Sequence, residues 1–178
     1  MRPPSQFLPI LCLGVMLSGM ATSALAQHRR DPLNAAEVDE LRETALEPEK
    51  RLKLFVKFAR GRLDTLVQMR ADPKTQNRAE QTRDDLQDFL DIYDELNDNI
   101  DNFADRKEDL RKPLAAVIEA DTEFQAKLRA LKDSANSDKA GAEQYRVMLE
   151  NAMDTVDLSA PDHRKLLEEQ QQEAHKKK

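Results

Sequence analysis

The sequence of 178 residues has no tryptophan, a single cysteine and four glycines, and only 4% of it is aromatic. The one cysteine, Cys12, lies in a leader-like N-terminal stretch. Leu11 precedes it, where a lipid-modified signal requires a small residue. Beyond that stretch the chain offers no disulfide, no thiolate metal ligand and no cysteine nucleophile. Past the leader only Gly61 and Gly141 remain, too few for the tight turns of an all-β domain. No segment alternates apolar and polar residues for long enough to read as a strand. Also missing are a glycine-rich phosphate loop, a Gly-x-Ser-x-Gly elbow and a Cys-x-x-Cys-His haem motif. His28, His163 and His175 form no i,i+4 pair of the zinc-binding kind and read as surface residues.

What is present begins with a leader. Residues 1–26 have the three parts of a secretory signal: Arg2, an apolar run from Phe7 to Met20, and Ala24-Leu25-Ala26 before a cleavage point at Gln27. The apolar run is shorter than the roughly 20 residues that span a bilayer, and nothing after it is apolar enough to do so. The expectation is a periplasmic or secreted protein with no integral membrane segment after cleavage. The net charge of −6 becomes one unit more negative without Arg2, which argues against nucleic acid or anionic lipid as a general partner.

The remainder reads as all-α: an elongated antiparallel helical bundle, or coiled-coil-like helical hairpin, of about four to five helices. The expected organisation is a lead at 27–33, a single bundle domain at 34–158, and a short polar C-terminal helix with a frayed tail at 159–178. Pro32, Pro48, Pro73, Pro113 and Pro161 punctuate it. Asn34 and Glu37 form a capping box that opens a helix running to about Leu46. A second helix starts near Pro48, with Leu52, Phe55, Val56, Ala59, Leu63, Leu66 and Val67 on its buried face. Asp72-Pro73 marks a stop and restart, "KDSANSDKAG" a turn, and Ser159 to Asp162 the cap of the final short helix.

The middle of the chain carries a seven-residue register. One row reads Leu86, Tyr93, Ile100, Lys107, Leu114, Asp121, Leu128, and its companion Phe89, Leu96, Phe103, Leu110, Val117, Phe124, Leu131. Lys107 and Asp121 are the two exceptions in this apolar seam, which is the pattern that keeps one helix face against a partner. Leu86, Phe89, Tyr93, Leu96, Ile100, Phe103 and Leu110 are therefore the expected interaction seam. The register runs past Pro113, which leaves open whether that residue kinks one long helix or separates two. The phenylalanines and Tyr93 fall at core spacing.

Opposite the seam lies a dense acidic face. Residues 84–109 hold eleven acidic and two basic residues, whereas 49–83 hold ten basic and four acidic ones. A hairpin about Pro73 brings these segments side by side, and their charges then set the pairing. Asp84, Asp91, Asp98 and Asp105 sit farthest from the seam and read as the solvated face. A second reading makes that face a weak Ca²⁺ or Mg²⁺ binder through Asp94, Asp98, Asp101, Asp105 and Glu108. A calcium loop at Asn97, Asn99, Asp101, Asp105 and Glu108 matches only in part, with Asn102 where glycine is usual and seam residues Ile100 and Phe103 inside it.

Small, exported, cysteine-free helical chains resemble the periplasmic helical chaperones in architecture. The motifs do not extend the resemblance, because the Leu-Thr-x-x-Gln repeat is missing and the jellyfish-like group is basic where this chain is acidic. The functional expectation is a non-enzymatic protein, without a cofactor, acting through protein contacts as an envelope scaffold, adaptor or chaperone-like binder. Self-association through leftover seam surface is the form this takes most simply.

Overall fold

The computed structural model describes residues 31–137 and 139–176. The signal-peptide reading, Cys12 and His28 lie outside them. Helices are the regular structure of the described residues, with no strand among them: α1 (Ala35–Glu43), α2 (Pro48–Ala71), α3 (Arg78–Asp105), α4 (Arg111–Ser137), the single turn α5 (Lys139–Ala142) and α6 (Arg146–Lys176). None of these helices is long and apolar enough to cross a membrane.

The capping box forms as its spacing requires. The Asn34 side chain accepts from the Glu37 amide at 3.0 Å, and the Asn34 amide donates to Glu37 Oε2 at 2.9 Å. The helix is shorter than its pattern predicts: α1 ends at Glu43 and Leu46 stands out in solvent. Arg51 then ties three helices together, donating to the Leu41 carbonyl of α1 at 2.7 Å and to Asn99 of α3 at 2.6 Å. α2 opens on Pro48 at its first turn, where the missing amide costs nothing. Its inner face buries Leu52, Phe55, Val56, Ala59, Leu63 and Leu66, with Phe58 widening it. Val67, expected on that face, is 50% exposed.

The long middle segment does not continue as one helix. α3 stops in a Schellman motif: the Glu108 amide donates to the Phe103 carbonyl, the Lys107 amide donates to the Ala104 carbonyl, and Lys107 is left-handed at φ 62°. α4 restarts once the Asp109 side chain accepts from the Arg111 amide at 3.1 Å. Pro113 falls in its first turn, so it separates two helices instead of kinking one. The heptad register survives the break, because Phe103 on one side and Leu110 on the other are both buried.

Four helices make the bundle. α2 packs beside α3 and α4, and α6 beside α4 and α3, so α3 faces α4 across the diagonal. Rings meet at that centre: Phe89 and Phe124 lie edge-to-face at 5.3 Å, with Tyr93 stacked on Phe89 at 5.7 Å. Side-chain pairs fix the directions. Glu49 with Lys112 and Arg60 with Glu123 run in step along α2 and α4, which are therefore parallel. Arg51 with Asn99 and Arg70 with Thr82 run in opposite order along α2 and α3, the expected antiparallel hairpin.

Three further expectations change at the C-terminal side. α4 runs through most of "KDSANSDKAG", and the chain turns at residues 143–145. The division at 158/159 does not appear: α6 is continuous from Arg146 to Lys176, with Pro161 inside it and no fresh cap at Ser159. Residues 168–176, expected to fray, are its last turns. The apolar side of α6 (Leu149, Ala152, Val156, Ala160) lies against the bundle through and beyond that boundary, and this packing outweighs the single hydrogen bond that proline removes.

Candidate functional site

The seam supplies the first lesson about the site. Leu86, Phe89, Tyr93, Leu96, Ile100, Phe103 and Leu110 are all at most 3% exposed, and they face this chain's own helices. Of the two exceptions to the apolar register, Lys107 sits in the loop between α3 and α4, and Asp121 is fully buried in α4.

A buried carboxylate requires donors, and Asp121 has two. The Tyr93 hydroxyl of α3 donates to its Oδ1 at 2.7 Å, and His163 Nδ1 of α6 meets its Oδ2 at 2.9 Å. The far ring nitrogen of His163 lies 3.1 Å from Asn97 Oδ1, and the Asn97 amide nitrogen donates to Ser159 Oγ at 3.0 Å. Five polar side chains from three helices thus form one connected network, the arrangement that makes buried polar groups tolerable. Burial pushes the Tyr93 hydroxyl far above the ordinary phenol range, and the Asp121 charge adds to that, so the phenol stays protonated as a donor.

This places His163 differently from its sequence reading as a surface residue: it is 4% exposed. Asn97, Ser159 and His163 were not separable from other helix residues by spacing alone. The one signal in the sequence was Asp121 itself, an acid in an otherwise apolar row, which has to find a partner from another helix.

The network ends in a groove of about 460 Å³ between α3 and α6. Asn97, Ser159 and the edge of His163 form its inner end, and Ile100, Ala104 and Leu166 supply apolar wall. Asp101, Asp105, Asp162 and Glu169 line it as well, with Lys165 as the lone lysine or arginine, about 4.0 Å from Glu169. α3 and α6 run parallel here, with Asn97 beside Ser159 and Ala104 beside Leu166 along the same groove. Gln170 secures the lower end of α6, accepting from the Leu110 amide at 2.8 Å and donating to the Glu108 carbonyl at 3.1 Å.

The acidic face divides on inspection. Asp94 and Asp98 are exposed on α3, Asp101 and Asp105 line the groove, and Glu108 lies in the loop, where Arg106 donates to it at 3.3 Å. Asn97 to Asp105 is helix, so the calcium loop does not form. Among the described residues no three His, Asp or Glu side chains converge as a metal site requires. Asp88 and Asp91 depart from the solvated-face reading, being 4% and 7% exposed. The heptad locates the bundle centre but not what flanks a helix: Gln87 donates to Asp91 at 2.8 Å, and the positive charge of Arg62 on α2 acts on Asp88. Three bases of α2 take their ion pairs outside α3, with Lys57 on Glu40, Arg62 on Glu37 and Arg60 on Glu123, whereas Arg51 and Arg70 reach Asn99 and Thr82 of α3.

Set against known protein families, characterised proteins and solved structures, the chain matches none. The site and its geometry alone carry the functional argument.

Proposed function

We propose that this is an exported, non-enzymatic helical protein that works by protein contact, and that its α3–α6 groove takes a basic amphipathic segment of a partner. The observation that carries the reading is the groove itself, with Ile100, Ala104 and Leu166 as apolar wall beside Asp101, Asp105, Asp162 and Glu169. An apolar strip flanked by acids is complementary to a helix or strand bearing leucine-like residues on one side and lysines or arginines beside them. The buried network supports a binding role over catalysis, because Tyr93, Asp121 and His163 satisfy one another and the first two are shut away from solvent.

The test is fluorescence anisotropy with a labelled synthetic Lys/Leu amphipathic peptide. Binding is expected to weaken as salt rises, since exposed charges are screened within about 10 Å at 0.1 M ionic strength. Ala104→Arg, which fills the wall and adds a positive charge among the acids, is expected to abolish it while the helical circular dichroism stays unchanged. Peptide binding that ignores both salt and Ala104→Arg overturns the assignment. The alternative, a weak Ca²⁺ or Mg²⁺ binder at Asp94, Asp98, Asp101, Asp105 and Glu108, predicts heat on titrating either ion into the free protein.

A further inference from the structure

We infer that the C-terminal half of α6 is a proton-controlled arm: Pro161 is its hinge, His163 its latch, and the α3–α6 groove exists only while the latch is closed. The inference rests on the groove reading above and adds its regulation.

The hinge follows from chain chemistry. Pro161 lies inside α6, has no amide hydrogen to give the Asp157 carbonyl, and crowds that carbonyl with its ring. The helix is weakest there, and of the groove-lining residues Ser159 and Asp162 flank this point while Lys165, Leu166 and Glu169 lie on the arm beyond it. Past the hinge, polar contacts to the bundle are few: His163 through Asp121 and Asn97, and Gln170 through the α3–α4 loop. An arm with one weak joint and two polar attachments, its Leu166 and Leu167 only partly buried against the core, moves as a unit when either polar attachment loosens.

The latch follows from counting donors. With the Asn97 amide oxygen turned toward the ring, Asp121 Oδ2 and Asn97 Oδ1 are both acceptors, and the closed latch is the state in which the His163 ring donates from both nitrogens. The ring then donates to the Asp121 carboxylate on one side and to the Asn97 amide oxygen on the other. When the ring loses its proton, Asp121 is left as a buried anion facing neutral donors only, and Asn97 has to turn its amide over to serve the bare nitrogen. Ser159, a hydroxyl, accommodates either amide orientation and so permits the change. By linkage, bound proton favours the docked arm and proton loss favours release.

The groups facing His163 agree with that sign. α4 presents Asp121, α3 presents Tyr93 and Asn97 with Asp101 farther along the groove, and α6 flanks it with Asp162 and Lys165. Among the described residues α2, diagonal to α6, gives His163 no hydrogen bond. Histidine is the side chain suited to such a switch between about pH 5 and 8.

Two measurements on the full chain decide the matter. Nitrogen-15 spectra of the His163 ring report its protonation, and hydrogen exchange reports protection of residues 162–176, both followed from about pH 5 to 8. The expected result is that the ring passes from doubly to singly protonated while exchange of the arm, corrected for intrinsic rate, speeds about tenfold and α2 stays unchanged. Pro161→Ala restores the missing bond and is expected to suppress the loosening while His163 still titrates. His163→Gln, if it folds, is expected to remove the pH dependence. A ring that never changes protonation, or arm protection that does not follow it, overturns the latch. Anisotropy with the Lys/Leu peptide at both ends of the range separates the two proposals. Arm release without peptide binding at either pH rejects the groove and keeps the latch, whereas binding equal at both pH values with a constant arm does the reverse.

Discussion

At the residue scale the pair between Glu37 and Arg62 shows how local and distant chemistry combine. Glu37 first completes the capping box with Asn34, then accepts from Arg62 of α2, with side chains only 13% and 19% exposed. Burial alone would raise the carboxyl pKa. The hydrogen bonds from Arg62 and the Asn34 amide, with the charges of Arg62 and Lys57, outweigh it and leave the group below its usual range. A lowered carboxylate contributes stability above its unfolded value and loses that contribution as pH falls through its folded one. Glu37→Gln keeps the box, since glutamine also serves at that position, and removes only the charge. It is expected to cost about 1–2 kcal/mol in urea unfolding at neutral pH and less at a pH below the carboxyl's lowered folded value. A cost that is equal at both pH values sinks the charge argument. The box was legible in the sequence because it spans three residues. Arg62 was not, and neither was His163, because their partners lie 25 and 42 residues away and only the fold brings them together.

The element scale is where sequence reading and physics part most instructively. The seven-residue register correctly marked the buried side of α3 and α4, since a repeat near the helical period specifies a face whatever happens between. It was silent on where the helix ends. The stop at Asp105 is a Schellman motif with lysine where glycine is usual, so the ordinary termination signal was missing from the text. Lys107 at φ 62° suffers contact between its Cβ and the backbone, a strain glycine lacks. Lys107→Gly is therefore expected to raise stability by about 1 kcal/mol, read as a higher urea midpoint with an unchanged slope. Loss of stability there would mean that the lysine side chain contributes more than its backbone costs. Pro161 taught the opposite lesson: a strong break signal was overridden because α6 has packed apolar residues through the break.

At the scale of the whole molecule, the seam decides the oligomeric state. The heptad pattern predicted helices paired along one face but left open whether the partner was another copy, since spacing specifies only which residues face inward. Here α2, α4 and α6 enclose α3, and the seam side chains retain at most 3% exposure. A stable dimer buries about 1,600 Å² in total. Among the described residues the large apolar side chains still exposed are Leu46, Val67, Val147 and Leu158. Only Val147 and Leu158 share a helix, and exposed Asn151 and Asp154 lie along the face between them. No continuous apolar surface of the required kind joins these residues, so the chain from Gln27 is expected to be a monomer by light scattering coupled to size exclusion, independent of concentration and of calcium. A concentration-independent dimer would require the hairpins of two copies to exchange within one shared core, because the seam cannot serve two partners at once. Disordering α6 while dimerising would be its signature, since α6 occupies the position beside α3 and α4 that a second hairpin would have to take.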